Sequence, residues 1–247
     1  MSSPARIGIA GIGGRVGRLL VEETAAAGLT LAGGTGRGDD LAALAARCDV
    51  VIDFTHADTA IRHAAILAGS GVAWVLGSTG LSGDQQRAVD DAATAIAIVQ
   101  AANFSPGVVL MQALAHRMAA ALPATDYDAE IVEMHHRQKV DAPSGTALTL
   151  GRTVAAARGV DLADVRDSGR DGHTGARRPG AIGFAALRGG QVVGEHTLSF
   201  TAGAEQLCLT HRAFDRRVFA TGAIRAAIWV AGHTPGLYGM DDVLALR

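Results

Sequence analysis

Residues 6–20 read RIGIAGIGGRVGRLL, and this stretch decides the fold. A short apolar run ends at Gly11, glycines follow at 11, 13, 14 and 17, and a helix-forming run begins at Arg15. That order reads as a buried strand, a tight turn and a helix N-terminus. Glycines let backbone N–H groups approach a pyrophosphate closely, and the helix dipole favours its negative charge. The spacing is GxxGxxG at 11, 14 and 17, because Val16 takes the third position of a strict GxGxxG. Alone the motif is weak, and a glycine turn used only for packing is its competitor; the surrounding pattern has to decide.

Working outward, short apolar runs alternate with Ala-rich stretches. Strands are expected at 6–12, 29–35, 49–55, 72–79 and 95–102, with helices at 15–27, 41–47, 57–69 and 82–94. Near-continuous apolar strands alternating with helices predict βαβ units on a parallel sheet. The pattern then changes. A helix at 106–121, a strand at 127–136 and a helix at 144–158 precede an irregular Gly-, Arg- and Asp-rich segment at 159–180. Residues 181–213 alternate apolar and polar around the turns RGGQ and TAGAEQ, which predicts an antiparallel meander. A helix at 216–232 ends at Pro235 and Gly236. The fold class is therefore α/β: a Rossmann-like parallel-sheet domain at 1–105 and 217–247, and an α+β module with a mixed, largely antiparallel sheet at 106–216.

Composition excludes several function classes. Twenty-two Lys and Arg against 24 Asp and Glu leave a formal net charge of −2, which offers no general attraction to nucleic acid or anionic membrane. No apolar run approaches the roughly 20 residues that span a bilayer, and the first residues lack a signal-peptide core, so a soluble cytoplasmic protein is expected. Cys48 and Cys208 are too few for a disulfide framework or thiolate metal site and read as ordinary buried cysteines.

The end of the second strand discriminates between dinucleotides. An acidic residue there accepts the ribose hydroxyls of NAD, whereas an arginine accommodates the 2′-phosphate of NADP. The sequence is GGTGRGDD, with Gly36 and Arg37 first and Asp39–Asp40 read as N-caps. Arg37 tilts the choice toward NADPH over NADH. GSTG at 77–80 and AANFS at 101–105 end the fourth and fifth strands, the edge where ligands lie in open α/β sheets. Gly77, Ser78, Thr79 and the Phe104 ring are candidates for the nicotinamide end.

A second stretch carries acid–base chemistry. EMHHRQKVDAPSGTA, residues 133–147, holds Lys139, the one lysine of the chain. Adjacent strand residues face opposite ways, so His135 and His136 share a ligand only if the strand bends after Met134. No third ligand at metal spacing accompanies them, so no zinc site is expected. Imidazole and ammonium donate protons near neutral pH and attract carboxylates. Ser144 or Asp141 caps the following helix, placing the Gly145 and Thr146 N–H groups as an anion site. Arginine holds its proton too tightly to donate, which gives a lone lysine a reason to be retained here. The substrate so described is a small molecule with one or more carboxylates.

With these residues assembled, the chain resembles the 4-hydroxy-tetrahydrodipicolinate reductase (dihydrodipicolinate reductase) family over almost its whole length. The strings that carry the resemblance are IAGIGGRVGRLL, VVIDFTHAD, LGSTGL, ANFSPGVVLM, EMHHRQKVDAPSGTAL, IGFAALRGGQVVGEHTLSF and HRAFDRRVFATGAIRAA. The resemblance implies hydride transfer from NADPH or NADH to 4-hydroxy-tetrahydrodipicolinate, giving tetrahydrodipicolinate and water in the diaminopimelate route to lysine. It implies His135 as acid/base, Lys139 as proton donor, and His136, Gly145 and Thr146 as binders of the substrate carboxylates. Dinucleotide contacts are implied at Gly11, Ile12, Gly13, Gly14, Arg15, Val16, Gly36, Arg37, Gly77, Ser78, Thr79, Ala101, Ala102, Asn103 and Phe104. A homotetramer assembled through the 106–216 domain is implied as well. The chain departs from the family where Gly36 replaces the usual acidic residue, and where GSTG and AANF replace GTTG and SPNF. A related NAD(P)-dependent dehydrogenase acting on another amino-acid-derived carboxylate, or a non-catalytic NAD(P)-binding regulator, are the alternatives; intact His135, Lys139 and Ser144–Thr146 speak against the last.

Overall fold

The computed structural model describes residues 5–246. It forms two compact units: one takes the chain up to Pro106 and again from Arg216, the other Gly107–Asp215.

The first unit is built on β1 (Arg6–Ala10), β2 (Thr30–Thr35), β3 (Val50–Asp53), β4 (Ala73–Leu76) and β5 (Ala97–Gln100). These alternate with α1 (Arg15–Ala26), α2 (Leu41–Ala45), α3 (Ala60–Ser70) and α4 (Gly83–Ala92). A late strand, β11 (Gly236–Tyr238), completes a six-stranded parallel sheet in the order β11-β5-β4-β3-β1-β2. VVID of β3 is buried at every position, as expected where helices cover both sheet faces. The helix α8 (Arg217–Val230) packs across α1 and carries Ala220, Ala223, Ala226 and Ala227 into the core. Gly222 lies so close to the Phe104 carbonyl that a Cβ would meet its oxygen at 1.8 Å. A short α9 (Met240–Val243) follows β11. Strands are shorter than the sequence pattern suggests because their C-terminal residues turn away into loops. After β3, the Asp53 carboxylate accepts the Thr55 N–H at 2.9 Å and ends the strand.

The second unit contains α5 (Pro106–Ala121), β6 (Asp128–His135), α6 (Gly145–Ala157), α7 (Leu162–Val165), β7 (Arg166–Ser168), β8 (Ile182–Arg188), β9 (Gly194–Thr201) and β10 (Gln206–Ala213). Its mixed sheet runs β10-β9-β6-β8-β7, with the antiparallel β9–β10 and β6–β9 ladders carrying most of the pairing. Inward residues alternate along β6 and β9, so Ile131, Leu198 and Phe200 meet Met111 and Ala115 of α5 and Leu150 and Val154 of α6.

Three expectations are corrected. Residues 181–213 do not form a meander: β6 lies between β8 and β9, pairing parallel with one and antiparallel with the other. The RGGQ loop crosses the end of β6, clipped by Gly189 N–H to the His135 carbonyl at 2.9 Å and Arg137 N–H to the Gly190 carbonyl at 3.3 Å. Residues 162–168 of the supposedly irregular segment form α7 and β7, an edge strand too short and polar to show as alternation. Cys208 is exposed on the edge strand β10, whereas Cys48 is buried beneath β1.

Candidate active site

The turn after β1 is held by two bonds to one acceptor: Gly11 and Ile12 N–H both donate to the Thr35 carbonyl, at 2.8 and 3.1 Å. Gly11 has φ +81°, a conformation glycine adopts at no steric cost, and a Cβ on Gly17 would lie 2.2 Å from the Gly11 carbonyl oxygen. Gly14 is the N-cap of α1 and has no side chain to compete for its N–H groups. A cavity of about 470 Å³ opens there, lined by Gly11, Gly13, Gly14, Gly36, Arg37 and Asp39 among others. Its opposite wall comes from Phe54–His56, Thr59, Arg62 and His63. Ile12 packs over Gly34, while Arg15 is exposed and Val16 half-buried on α1; none of the three lines the cavity. Asp40 caps α2 by accepting from Ala42 and Ala43 N–H. Asp39 does not: its carboxylate takes the Gly36 N–H at 2.7 Å and stands in the cavity wall.

A smaller cavity of about 250 Å³ lies at the ends of β4 and β5, lined by Ser78, Thr79, Gln86, Gln100, Ala101 and Ala102. The Ser78 hydroxyl is buried there with no partner among the described residues, an arrangement that fits a hydrogen-bonding ligand group such as a carboxamide. Gly77 backs onto the Phe54 ring, where a Cβ would clash at 2.5 Å. Phe104 is 2% exposed and tilted against Phe54 at 5.3 Å, so its ring is a buried support. Asn103 turns its side-chain oxygen to the Ser105 N–H.

In the second unit, β6 ends at His135 and His136 begins a turn, so the strand alternation no longer separates the two. Lys139 pairs with Asp141 at 2.9 Å, which removes Asp141 from capping; Ser144 caps α6 by accepting the Ala147 N–H. Gly145 and Thr146 stand in the first turn of α6, where helix N–H groups point along the axis toward an anion. His135 Nδ1 lies 2.6 Å from a Glu133 carboxylate oxygen, and the Ser144 N–H donates to the other oxygen at 3.1 Å. Arg188 grips both oxygens at 2.8 Å and also donates to the Asp141 carbonyl. His196 reaches the Ser144 hydroxyl at 3.0 Å and meets the His135 ring edge-on at 5.1 Å.

The electrostatics follow from burial. Desolvation pushes Glu133 up, but bonds from Arg188, His135 and the Ser144 N–H more than offset it and leave the carboxyl below its ordinary range. Burial lowers His135, with Lys139 and Arg188 adding to the effect and Glu133 opposing it. Burial pushes His196 down to about 4, with the neighbouring His135 adding to the effect. The Lys139 bond lowers Asp141.

Sequence reading missed Glu133, Arg188 and His196, and the paired Asp53 and His63 of the first unit, whose Oδ2 and Nδ1 lie 2.7 Å apart with both side chains buried. A signal for His196 exists in the inward alternation of GEHTLSF; none exists for Arg188, which becomes central only because β8 pairs beside β6. Among the described residues no group of three or more His, Cys, Asp or Glu is placed to hold a metal.

Comparisons with known proteins place the chain in one family. The family described as "Dihydrodipicolinate reductase, N-terminus" matches residues 5–104, and "Dihydrodipicolinate reductase, C-terminus" matches residues 107–244. The chain is 64% identical to the 4-hydroxy-tetrahydrodipicolinate reductase of Gluconacetobacter diazotrophicus, covering 98% of this chain and 97% of that one. It is likewise 64% identical to the enzyme of that name from Acidiphilium cryptum, over 98% of each. A dipicolinate-bound dihydrodipicolinate reductase from Paenisporosarcina sp. TG-14 shares the fold, with a TM-score of 0.80, 24% identity, and coverage of 97% of this chain and 99% of that one.

Proposed function

The chain belongs to the dihydrodipicolinate reductase family, and from that premise we propose how its residues divide the reaction. The activity is reduction of 4-hydroxy-tetrahydrodipicolinate to tetrahydrodipicolinate and water in diaminopimelate and lysine biosynthesis. The observation that carries the division is the bonded cluster at the end of β6. It joins His135 and the first turn of α6 through Glu133, and ties in the Lys139–Asp141 pair through Arg188.

The first unit is the dinucleotide-binding domain and the second the substrate-binding domain. When bound, the nicotinamide nucleotide supplies the hydride. Gly11–Val16, Gly36, Arg37, Gly77–Thr79 and Ala101–Phe104 would hold it, the glycine turn facing the pyrophosphate and Ser78 a carboxamide. Ile12 and Phe104 contribute from behind, through backbone and packing. NADPH is the favoured nucleotide and NADH a usable one: Arg37 and Arg62 share the cavity wall and suit a 2′-phosphate, while Asp39 suits ribose hydroxyls.

On the substrate side, His136, Gly145 and Thr146 bind carboxylates, with cation and helix dipole both favouring negative charge. Loss of the 4-hydroxyl as water takes a proton onto the leaving oxygen and releases one from the neighbouring ring carbon, so it is proton-neutral. Uptake of a hydride by the ring then consumes one proton net. His135 moves protons at Nε2, because Nδ1 is committed to Glu133. Lys139 donates from an ammonium held by Asp141.

The protein is proposed to be a cytoplasmic homotetramer. No helix among the described residues is long and apolar enough to cross a membrane. The sheet face opposite α5 and α6 exposes Val132 and Leu187, an apolar surface suited to a second copy; light scattering on the purified protein measures the assembly. A coupled assay with freshly generated synthase product tests the chemistry. Wild type should oxidise NADPH faster than NADH, His135→Ala and Lys139→Arg should each lose about 10²-fold or more in kcat, and Arg37→Ala should erase the nucleotide preference. Lys139→Arg with near wild-type turnover removes the lysine from proton donation, and a preference unchanged in Arg37→Ala removes Arg37 from nucleotide choice.

A further inference from the structure

We propose that Glu133 is a positioning residue of the reductase, a buried carboxylate that locks the proton-transferring histidine and the carboxylate-binding end of α6 into one unit. The proposal rests on the assignment of His135 as the acid/base. Glu133 is 1% exposed, and its two oxygens receive four hydrogen bonds from three places in the chain. One comes from His135 on its own strand, one from the Ser144 N–H at the N-cap of α6, and two from Arg188 at the end of β8. His196 also spans the two, through a ring-edge contact and a hydroxyl bond, but the hydrogen bonds to an ionised carboxylate that join the imidazole to the helix end run through Glu133.

The contact also dictates the tautomer. An ionised carboxylate only accepts, so the neutral imidazole must carry its proton on Nδ1 and present the Nε2 lone pair. Arg188 matters to the balance. A buried, unpaired Glu133 would hold His135 as imidazolium, whereas a bidentate guanidinium neutralises the carboxylate and lets the ring exchange its proton. The groups facing the ring are Glu133 from β6, Arg188 from β8, His196 from β9, and Lys139, itself paired with Asp141, from the loop. Only Glu133 favours the charged ring; Lys139 and Arg188 oppose it, and burial opposes it most. On the β9 side, Gly194 leaves Nε2 uncovered: a Cβ there would stand 3.0 Å from it.

The experiment compares wild type, Glu133→Gln, Glu133→Asp and His135→Ala by kcat and KM across pH, with cofactor titration and thermal melting as controls. Glu133→Gln should lower kcat by about 10²-fold and leave cofactor affinity unchanged. It should also move the acidic limb of the kcat profile to lower pH, because the one group that favours imidazolium has lost its charge. Glu133→Asp keeps the charge, so the limb should stay in place while kcat falls less. A wild-type limb and turnover in Glu133→Gln overturn the proposal while leaving His135 intact as acid/base. Near-normal turnover in His135→Ala instead removes the assignment beneath it, and the proposal with it. If Glu133→Gln does not melt cooperatively, ¹⁵N spectra of the wild-type histidines decide. An Nδ1–H tautomer for His135 supports the lock, and an Nε2–H tautomer overturns it.

Discussion

Acid should loosen the second unit through His196, a residue whose side chain is almost wholly buried. Its side chain faces inward from β9, 4% exposed, and burial holds its pKa at about 4 against an ordinary 6.5. Between those values the unfolded chain binds a proton at this position and the folded chain does not. Falling pH therefore favours unfolding; the contribution is fully present above about pH 6.5 and is lost as pH drops toward 4. At 1.36 kcal/mol per pKa unit the whole interval amounts to about 3 kcal/mol, and the fall from pH 6.5 to 5 to about 2 kcal/mol. His135 and His211, both lowered by burial, add losses of the same sign, so the effect of His196 must be read as a difference. The comparison is wild type against His196→Gln, which keeps a polar side chain and removes the titration. Trp74 and Trp229 both lie in the nucleotide unit and are blind to this event. Amide hydrogen exchange in β6 and β9, corrected for intrinsic rates at pH 7.5, 6.0 and 5.0, is the suitable assay. His196→Gln should be less stable at pH 7.5, and its deficit should shrink by about 2 kcal/mol on reaching pH 5. Parallel pH curves for the two proteins would refute the assignment of a neutral buried imidazole.

Gly194→Ala places a methyl group against His135 Nε2, and the ring cannot retreat without stretching its 2.6 Å bond to Glu133. Turnover should fall about tenfold with a stability loss of only about 1–2 kcal/mol; kcat within twofold of wild type would mean that the ring moves freely. Asp53→Ala removes the acceptor for His63 Nδ1, the Thr55 N–H and the Thr55 hydroxyl together. It should cost about 3–5 kcal/mol in urea melts followed by tryptophan fluorescence, and Asp53→Asn should cost less because one acceptor oxygen remains. Ser144→Ala loses the cap of α6 and the His196 contact, with an expected destabilisation of about 1–2 kcal/mol by the same exchange assay.

The parallel sheet was legible because its inner strands are buried on both faces, so Ile52, Val75 and Val99 sit in apolar runs that nothing else explains. Helix positions followed from the Ala-rich stretches between the strands, with ends displaced by up to three residues, as where the stretch at 57–69 becomes α3. Strand order in the second sheet was not legible. Alternation in 181–213 says which face is inward, but not that β6 enters between β8 and β9. The same gap hid half of the site. His135, Lys139 and Ser144 occupy one short stretch, whereas Arg188 and His196 arrive from strands whose neighbourhood is set only by pairing. Asp39 and Asp40 show a finer failure: adjacent identical residues, of which one caps a helix and the other braces a loop.

The interruption of the nucleotide unit by residues 107–215 bears on how the molecule is born. Its glycine turn is translated early, yet α8 and β11, which cover α1 and extend the sheet beside β5, emerge from the ribosome only after the whole intervening unit. Until then the core that receives Ala220, Ala223 and Val230 is open, and Gly222 has not reached Phe104. The segment that begins second has all of its chain first. During synthesis the second unit can mature while its elder neighbour waits, exposed, for its last helix; a nascent chain stalled before residue 216 holds the complete glycine turn without the helix and strand that finish its domain.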